Sequence, residues 1–120
     1  MKILVVDDDN LFLAGFDKVL QTGSTEVKTV ETGNAALREI ESSQYHLCFL
    51  DLFLPDVNGV EVLKRIKETS PQTKVIVMTA GVVTSSMQET IERDAYMFIT
   101  KPFDILQIKM LTRRILEESA

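Results

Sequence analysis

The chain has 120 residues, with 13 Lys and Arg against 18 Asp and Glu, a formal net charge of -5, 45% hydrophobic and 26% charged residues. That length suits one domain able to bury roughly two-thirds of its unfolded surface without disulfides or structural metal. The acidic balance excludes a domain that grips DNA or RNA by itself, since phosphate backbones require clustered Lys and Arg, and no apolar run approaches the ~18 residues that span a membrane.

Met1-Lys2 precedes an apolar run over residues 3–6 that stops at Asp7-Asp8-Asp9. Four residues fall far short of a secretory h-region, so the run is a first strand. Asp9 or Asn10 can cap the next helix, where Phe12, Phe16, Val19 and Leu20 recur at helical spacing up to Gly23. Residues 25–31 make a weaker strand, with Val27 and Val30 its strong apolar members. Gly33-Asn34 opens a second helix with Ala36, Leu37 and Ile40 on one side. Residues 47–50 are continuously apolar and end in a single carboxylate, Asp51. A strand buried on both faces has this pattern. Inside it lies the lone cysteine, Cys48, a small buried hydrophobe without an internal disulfide partner. With no signal sequence, this points to a reducing, cytoplasmic setting.

Pro55 and Gly59 then break the chain, and a third helix from about Gly59 carries Val62, Leu63 and Ile66 to its end near Ser70-Pro71. Residues 75–78 form a fourth strand that stops at Thr79-Ala80-Gly81. A polar helix over about 84–95 shows only the thin stripe Met87, Ile91, Ala95. Residues 96–100 form a fifth strand before Lys101-Pro102, and the last helix covers about 104–118. Strands alternating with helices predict a parallel sheet with helices on both faces, joined by right-handed crossovers into a three-layer α/β/α sandwich. No repeat or linker interrupts it, so residues 1–120 are expected to form a single domain.

The polar residues fall where the strands end. The first strand closes in Asp7 and Asp8, the third in Asp51, the fourth in Thr79 and the fifth in Lys101. In a parallel sheet these ends share one edge, the edge where open α/β sheets bind ligands. Three carboxylates packed together repel one another unless a cation sits among them. A hard oxygen-ligand ion, Mg²⁺ (or Mn²⁺), answers that need with one or two carboxylates plus phosphate and water. Lys101 adds a fixed positive charge and Thr79 a hydroxyl donor. Phosphoryl transfer needs little beyond positioning and charge neutralisation, and a carboxylate nucleophile would yield an acyl phosphate.

On these residues the chain resembles the receiver domain of two-component response regulators, over essentially its whole length. The resemblance rests on Val5-Val6-Asp7-Asp8-Asp9, Asp51-Leu52-Phe53-Leu54-Pro55 with Gly59, Val77-Met78-Thr79-Ala80, and Lys101-Pro102-Phe103. It implies a flavodoxin-like, doubly wound five-stranded parallel sheet of order 2-1-3-4-5 with five helices. Asp51 would be the phosphoacceptor, loaded from a phosphohistidine on a sensor histidine kinase or phosphotransfer protein. Asp8, Asp51 and the backbone carbonyl of Phe53 would hold Mg²⁺, with Asp7 acting through water. Thr79 and Lys101 would contact the phosphoryl oxygens, Phe98 would be the aromatic switch partner of Thr79, and Lys101-Pro102 would be cis. The response would reach the fourth helix, fifth strand and fifth helix. There Leu106 and Met110 lie outside the stripe Ile105, Ile108, Leu111, Ile115, Leu116, as a candidate surface for an output domain, a downstream protein or a phosphorylation-dependent homodimer. The chain would be a stand-alone receiver or the N-terminal part of a longer regulator, not an enzyme on other substrates.

The chain also departs from the family pattern. Asp94-Ala95 stands where Gly-Ala is usual, which would be strained if that turn needs φ > 0. Phe98 replaces the commoner tyrosine, so no ring hydroxyl can report the state. Phe53 and Gly81 flank the expected path of hydrolytic water. Two alternatives remain. A haloacid-dehalogenase-type phosphatase would use Asp7-Asp8-Asp9, against which stand Leu11, the lack of a late acidic pair and no room for a cap. The other is a pseudo-receiver that is never phosphorylated, which the intact set of polar residues opposes. His46, the single histidine, precedes a buried strand and suits a strand-edge polar role better than phosphotransfer.

Overall fold

Strands and helices alternate without exception along the computed structural model, which describes residues 1–118: β1 (Lys2–Val6), α1 (Asn10–Leu20), β2 (Glu26–Val30), α2 (Gly33–Ser42), β3 (Leu47–Asp51), α3 (Gly59–Thr69), β4 (Lys74–Thr79), α4 (Ser85–Asp94), β5 (Met97–Thr100) and α5 (Ile105–Glu118). The strands pair in parallel in the order β2-β1-β3-β4-β5. β3 is central and every one of its residues is buried, which is why its sequence is continuously apolar instead of alternating.

Successive side chains of a strand point to opposite faces, and two cores result. Leu4, Val6, Cys48, Leu50, Val75 and Val77 face the helices α2, α3 and α4. Ile3, Val5, Leu47, Phe49, Ile76 and Met78 face α1 and α5. On the second face Phe16 stacks edge-on to Phe49 at 5.0 Å and lies 4.8 Å from Phe12, which in turn meets Phe103 at 5.6 Å. Such pairs add about 0.5–1.5 kcal/mol beyond their buried area.

Each of the first four helices starts at a side-chain cap. Asp9 accepts from the amides of Leu11 and Phe12, Thr32 from Ala35, Asn58 from Val60 and Thr84 from Met87. Ser, Thr, Asp and Asn do this because their oxygens reach amides left over in the first turn. α1 stops at Leu20, short of the expected Gly23. Thr22 Oγ1 takes the amides of Ser24 and Thr25 at 3.3 and 3.1 Å, and Gln21 Oε1 that of Val27 at 2.9 Å; such local bonds compete with another helical turn. On the same helix Leu13 is buried alongside Phe16 and Leu20, and Phe12 and Val19 of the expected stripe are partly buried against the same core. The turn at Asp94-Ala95 carries no strain: Ala95 sits at φ -86°, and neither Asp94 nor any other described residue, glycines included, has a positive φ, so a glycine is not needed there.

Candidate functional site: a carboxylate cluster at the strand ends

Parallel pairing places the ends of β1, β3, β4 and β5 on one edge. Leu50 is opposite Val6, Met78 opposite Asp51, and Thr100 opposite Thr79. Asp7 and Asp51 follow the β1–β3 register, Thr79 the β3–β4 register and Lys101 the β4–β5 register, so these polar residues share one edge. Asp7 is completely buried, Asp51 nearly so, and Asp8 exposed; carboxylate oxygens of all three lie within 4.8 Å of one another. Lys101 reaches across from β5. Its Nζ donates to Asp7 Oδ2, and to Asp51 Oδ2 at 3.2 Å, while the ammonium stands 4.4 Å over the ring of Phe12. The peptide Lys101–Pro102 is cis, and Lys101 N donates to Thr79 O at 2.7 Å.

The remaining acceptors are held by backbone amides. Asp7 Oδ1 accepts from Asp9 N and Asp51 Oδ1 from Phe53 N, both at 3.0 Å. Thr79 is buried, and its Oγ1 accepts from Gly81 N at 3.0 Å, which leaves the hydroxyl proton available. Phe53 is about half exposed, and its ring lies against Gly81, where a Cβ would come within 2.6 Å of Cε2. Gly59 closes the loop after β3: its amide bonds Leu52 O at 3.1 Å, and a Cβ there would meet the Leu52 backbone at 2.4 Å. A cleft of about 460 Å³ opens beside Asp8, lined by Phe53, Pro55, Asp56, Asn58 and Met87 among others.

Burial raises the pKa of Asp7 above the ordinary carboxyl value, against the opposing pull of its bond to Lys101. Burial also disfavours the charged Lys101, but the bond to Asp7 and the charge of Asp51 outweigh it and hold the ammonium above the usual lysine range. Three carboxylates and one ammonium leave a formal -2 at the site when all are ionised. A divalent cation neutralises that excess with the oxygen donors it prefers, and this acidic triad is of the kind that holds Mg²⁺.

Phe98 projects from β5, opposite Val77 in register and partly exposed. Leu106 and Met110 are 62% and 70% exposed on α5. Two contributors were not evident in the sequence. Phe12 reads there only as a helix-stripe residue, yet it supports Lys101. Asp56 drew no reading from the sequence, yet its carboxylate accepts the amides of Gly33 at 2.9 Å and Asn34 at 3.0 Å.

A doubly wound sheet with acidic groups converging at its carboxyl edge is thus the framework of the molecule. Residues 3–113 match the family model of the response regulator receiver domain. The chain belongs to that family, the receiver domains of two-component signalling. It is 37% identical over 120 residues to the transcriptional regulatory protein CiaR of Streptococcus pneumoniae, covering 99% of this chain and 53% of that protein, and so spans about half its length. Among solved structures, the BeF3-activated receiver domain of DrrB aligns with a TM-score of 0.84 and 37% identity over 97% of each chain. The response regulator TrrA of Thermotoga maritima, in complex with Mg²⁺-BeF, aligns at 0.82 and 29% identity, covering 95% of this chain and 97% of that one.

Proposed function

We propose that the chain is a phosphorylation-dependent switch, receiving a phosphoryl group on Asp51 from the phosphohistidine of a sensor histidine kinase or phosphotransfer protein. The observation that carries this is the Lys101 ammonium bonded to both Asp7 and Asp51, with Asp8 alongside, at the open edge of the sheet. A carboxylate oxygen of Asp51 attacks phosphorus, the N–P bond of the phosphohistidine breaks, and the imidazole leaves with the electron pair. Asp8, Asp51 and the Phe53 carbonyl would hold Mg²⁺, with Asp7 acting through water; the ion supplies charge neutralisation for the transferring group. Lys101 turns from Asp7 toward the new phosphoryl oxygens, and Thr79 offers them its hydroxyl proton. The chemistry is confined to the chain's own aspartate, which distinguishes it from an enzyme acting on other substrates.

The added group brings roughly -1.5 to -2 charge and three strong acceptors. Drawing Thr79 and Lys101 toward it biases a pre-existing equilibrium of α4 and β5, with Phe98 following Thr79. The output surface then comprises α4, β5 and α5, including Leu106 and Met110. It faces an output domain, a downstream protein or a second phosphorylated copy. We read residues 1–120 as one receiver domain acting in the cytoplasm. The transcriptional regulators among its relatives support an output through gene control. Beryllofluoride, a tetrahedral mimic of a carboxyl-bound phosphoryl group, tests the switch. With Mg²⁺ it should shift the amide resonances of Thr79, Phe98 and Lys101 in wild-type protein and not in Asp51→Asn. Unmoved resonances in the wild type would overturn the proposal.

A further inference from the structure

The loop between β3 and α3 runs over the surface, yet it carries the Phe53 carbonyl assigned above to Mg²⁺. Its ends are fixed by backbone. Leu52 N bonds Met78 O at 3.1 Å, and Phe53 pairs with Asn58 as an isolated antiparallel bridge. Its middle is tied to a different part of the chain. The two oxygens of Asp56 accept separate amides, Gly33 on Oδ1 at 2.9 Å and Asn34 on Oδ2 at 3.0 Å. These are the first two residues of α2, so the carboxylate also meets the positive end of the helix dipole. Beneath it the loop lies directly on the α2 backbone. A Cβ on Gly33 would come 2.2 Å from Val57 Cγ2, 2.9 Å from Val62 Cγ2 and 3.4 Å from Leu54 Cδ1. No side chain but hydrogen permits that approach.

We infer that Asp56 is a positioning residue for the metal site, clamping the loop to α2 so that the Phe53 carbonyl is held in place before a cation arrives. This rests on the function proposed above. A ligand already ordered costs less entropy on binding, and outer contacts that orient metal ligands typically contribute roughly 10–100-fold in affinity. Burial and bonding around α2 separate this role from helix stability alone. Thr32 caps the same helix through Ala35 N at 3.1 Å but makes no bond to the loop.

Isothermal titration of Mg²⁺ into the full chain tests the clamp without any phosphoryl donor. Asp56→Ala should weaken Mg²⁺ binding by about 10-fold, and Gly33→Ala, which changes no charge, should weaken it in the same direction. Asp56→Asn, retaining one acceptor oxygen, should fall between. Thr32→Ala should lower the thermal midpoint and leave Mg²⁺ affinity unchanged. In metal-free protein, amide exchange at Gly33, Asn34 and residues 53–57 should quicken in Asp56→Ala. The inference is overturned if Asp56→Ala binds Mg²⁺ as wild type does. Equal weakening in Thr32→Ala, or an Asp56→Ala effect that vanishes at high salt, where long-range charge is screened, would overturn it too. Failure of wild-type protein to accept a phosphoryl group would instead remove the proposed function, and is distinguished because the titration reads metal alone.

Discussion

Lys101 is the residue on which the site turns, because its ammonium partners two carboxylates while standing over the Phe12 ring. Removing it leaves the metal-binding oxygens intact but breaks the link from them to β5. Lys101→Ala should therefore retain Mg²⁺ binding, read by titration, and lose the beryllofluoride response at Phe98; an unimpaired response would contradict its role. Asp7 sets a pH dependence of definite sign. Its folded pKa lies above the ordinary carboxyl value, so between those two values the folded chain holds a proton that the unfolded chain has released. Stability of metal-free protein then falls as pH rises through that window. Asp7→Asn should flatten this component, measured as the difference in urea midpoints between the two proteins from pH 4 to 7. A difference independent of pH would contradict it. The cluster of Asp7, Asp8, Asp51 and Lys101 was legible in sequence because these residues stand at or just beyond the ends of strands. Phe12 and Asp56 were not, since their partners lie far along the chain and nothing local marks them.

Among the elements, β3 was the plainest to read and fell at residues 47–51 as expected, because a strand buried on both faces leaves an unbroken apolar run. Helix ends were read less well where side chains outcompeted helical bonds, as Thr22 and Gln21 do after α1. Position 112 escaped the apolar stripe of α5 because it is a threonine, yet it is buried with Ile108 and Ile115. The outer side of that helix keeps Leu106 and Met110 exposed. If α4, β5 and α5 form the responsive face, phosphorylation or beryllofluoride should alter amide exchange over residues 84–116 and leave α2 unchanged. Identical exchange in both states would remove that assignment. Packing on the other face is more costly to disturb: Phe16→Ala should lower stability by about 3–5 kcal/mol, read from urea unfolding, since Phe16 joins β3 to the aromatic group below Lys101.

At the scale of the whole molecule, strand alternation made the layered fold legible and the resemblance supplied the strand order 2-1-3-4-5 that the structure shows. The loop-to-helix contacts that fix the site needed three dimensions, since Gly33 meets Val57 only across the fold. Cys48 reports on the whole core. Burial pushes its thiol up to about 12, and only the thiolate reacts, so alkylation at pH 8 should await opening of the sheet and accelerate with urea in step with global unfolding. Rapid labelling in native buffer would contradict the placement of β3 at the centre. On the proposed function, this fold presents one aspartate, Asp51, for phosphorylation. The direct measurement is the intact mass after incubation with acetyl phosphate and Mg²⁺. A single phosphoryl adduct is predicted on wild-type protein, absent with EDTA and absent in Asp51→Asn; an adduct that persists in Asp51→Asn, or one mapped to Asp7, would contradict it.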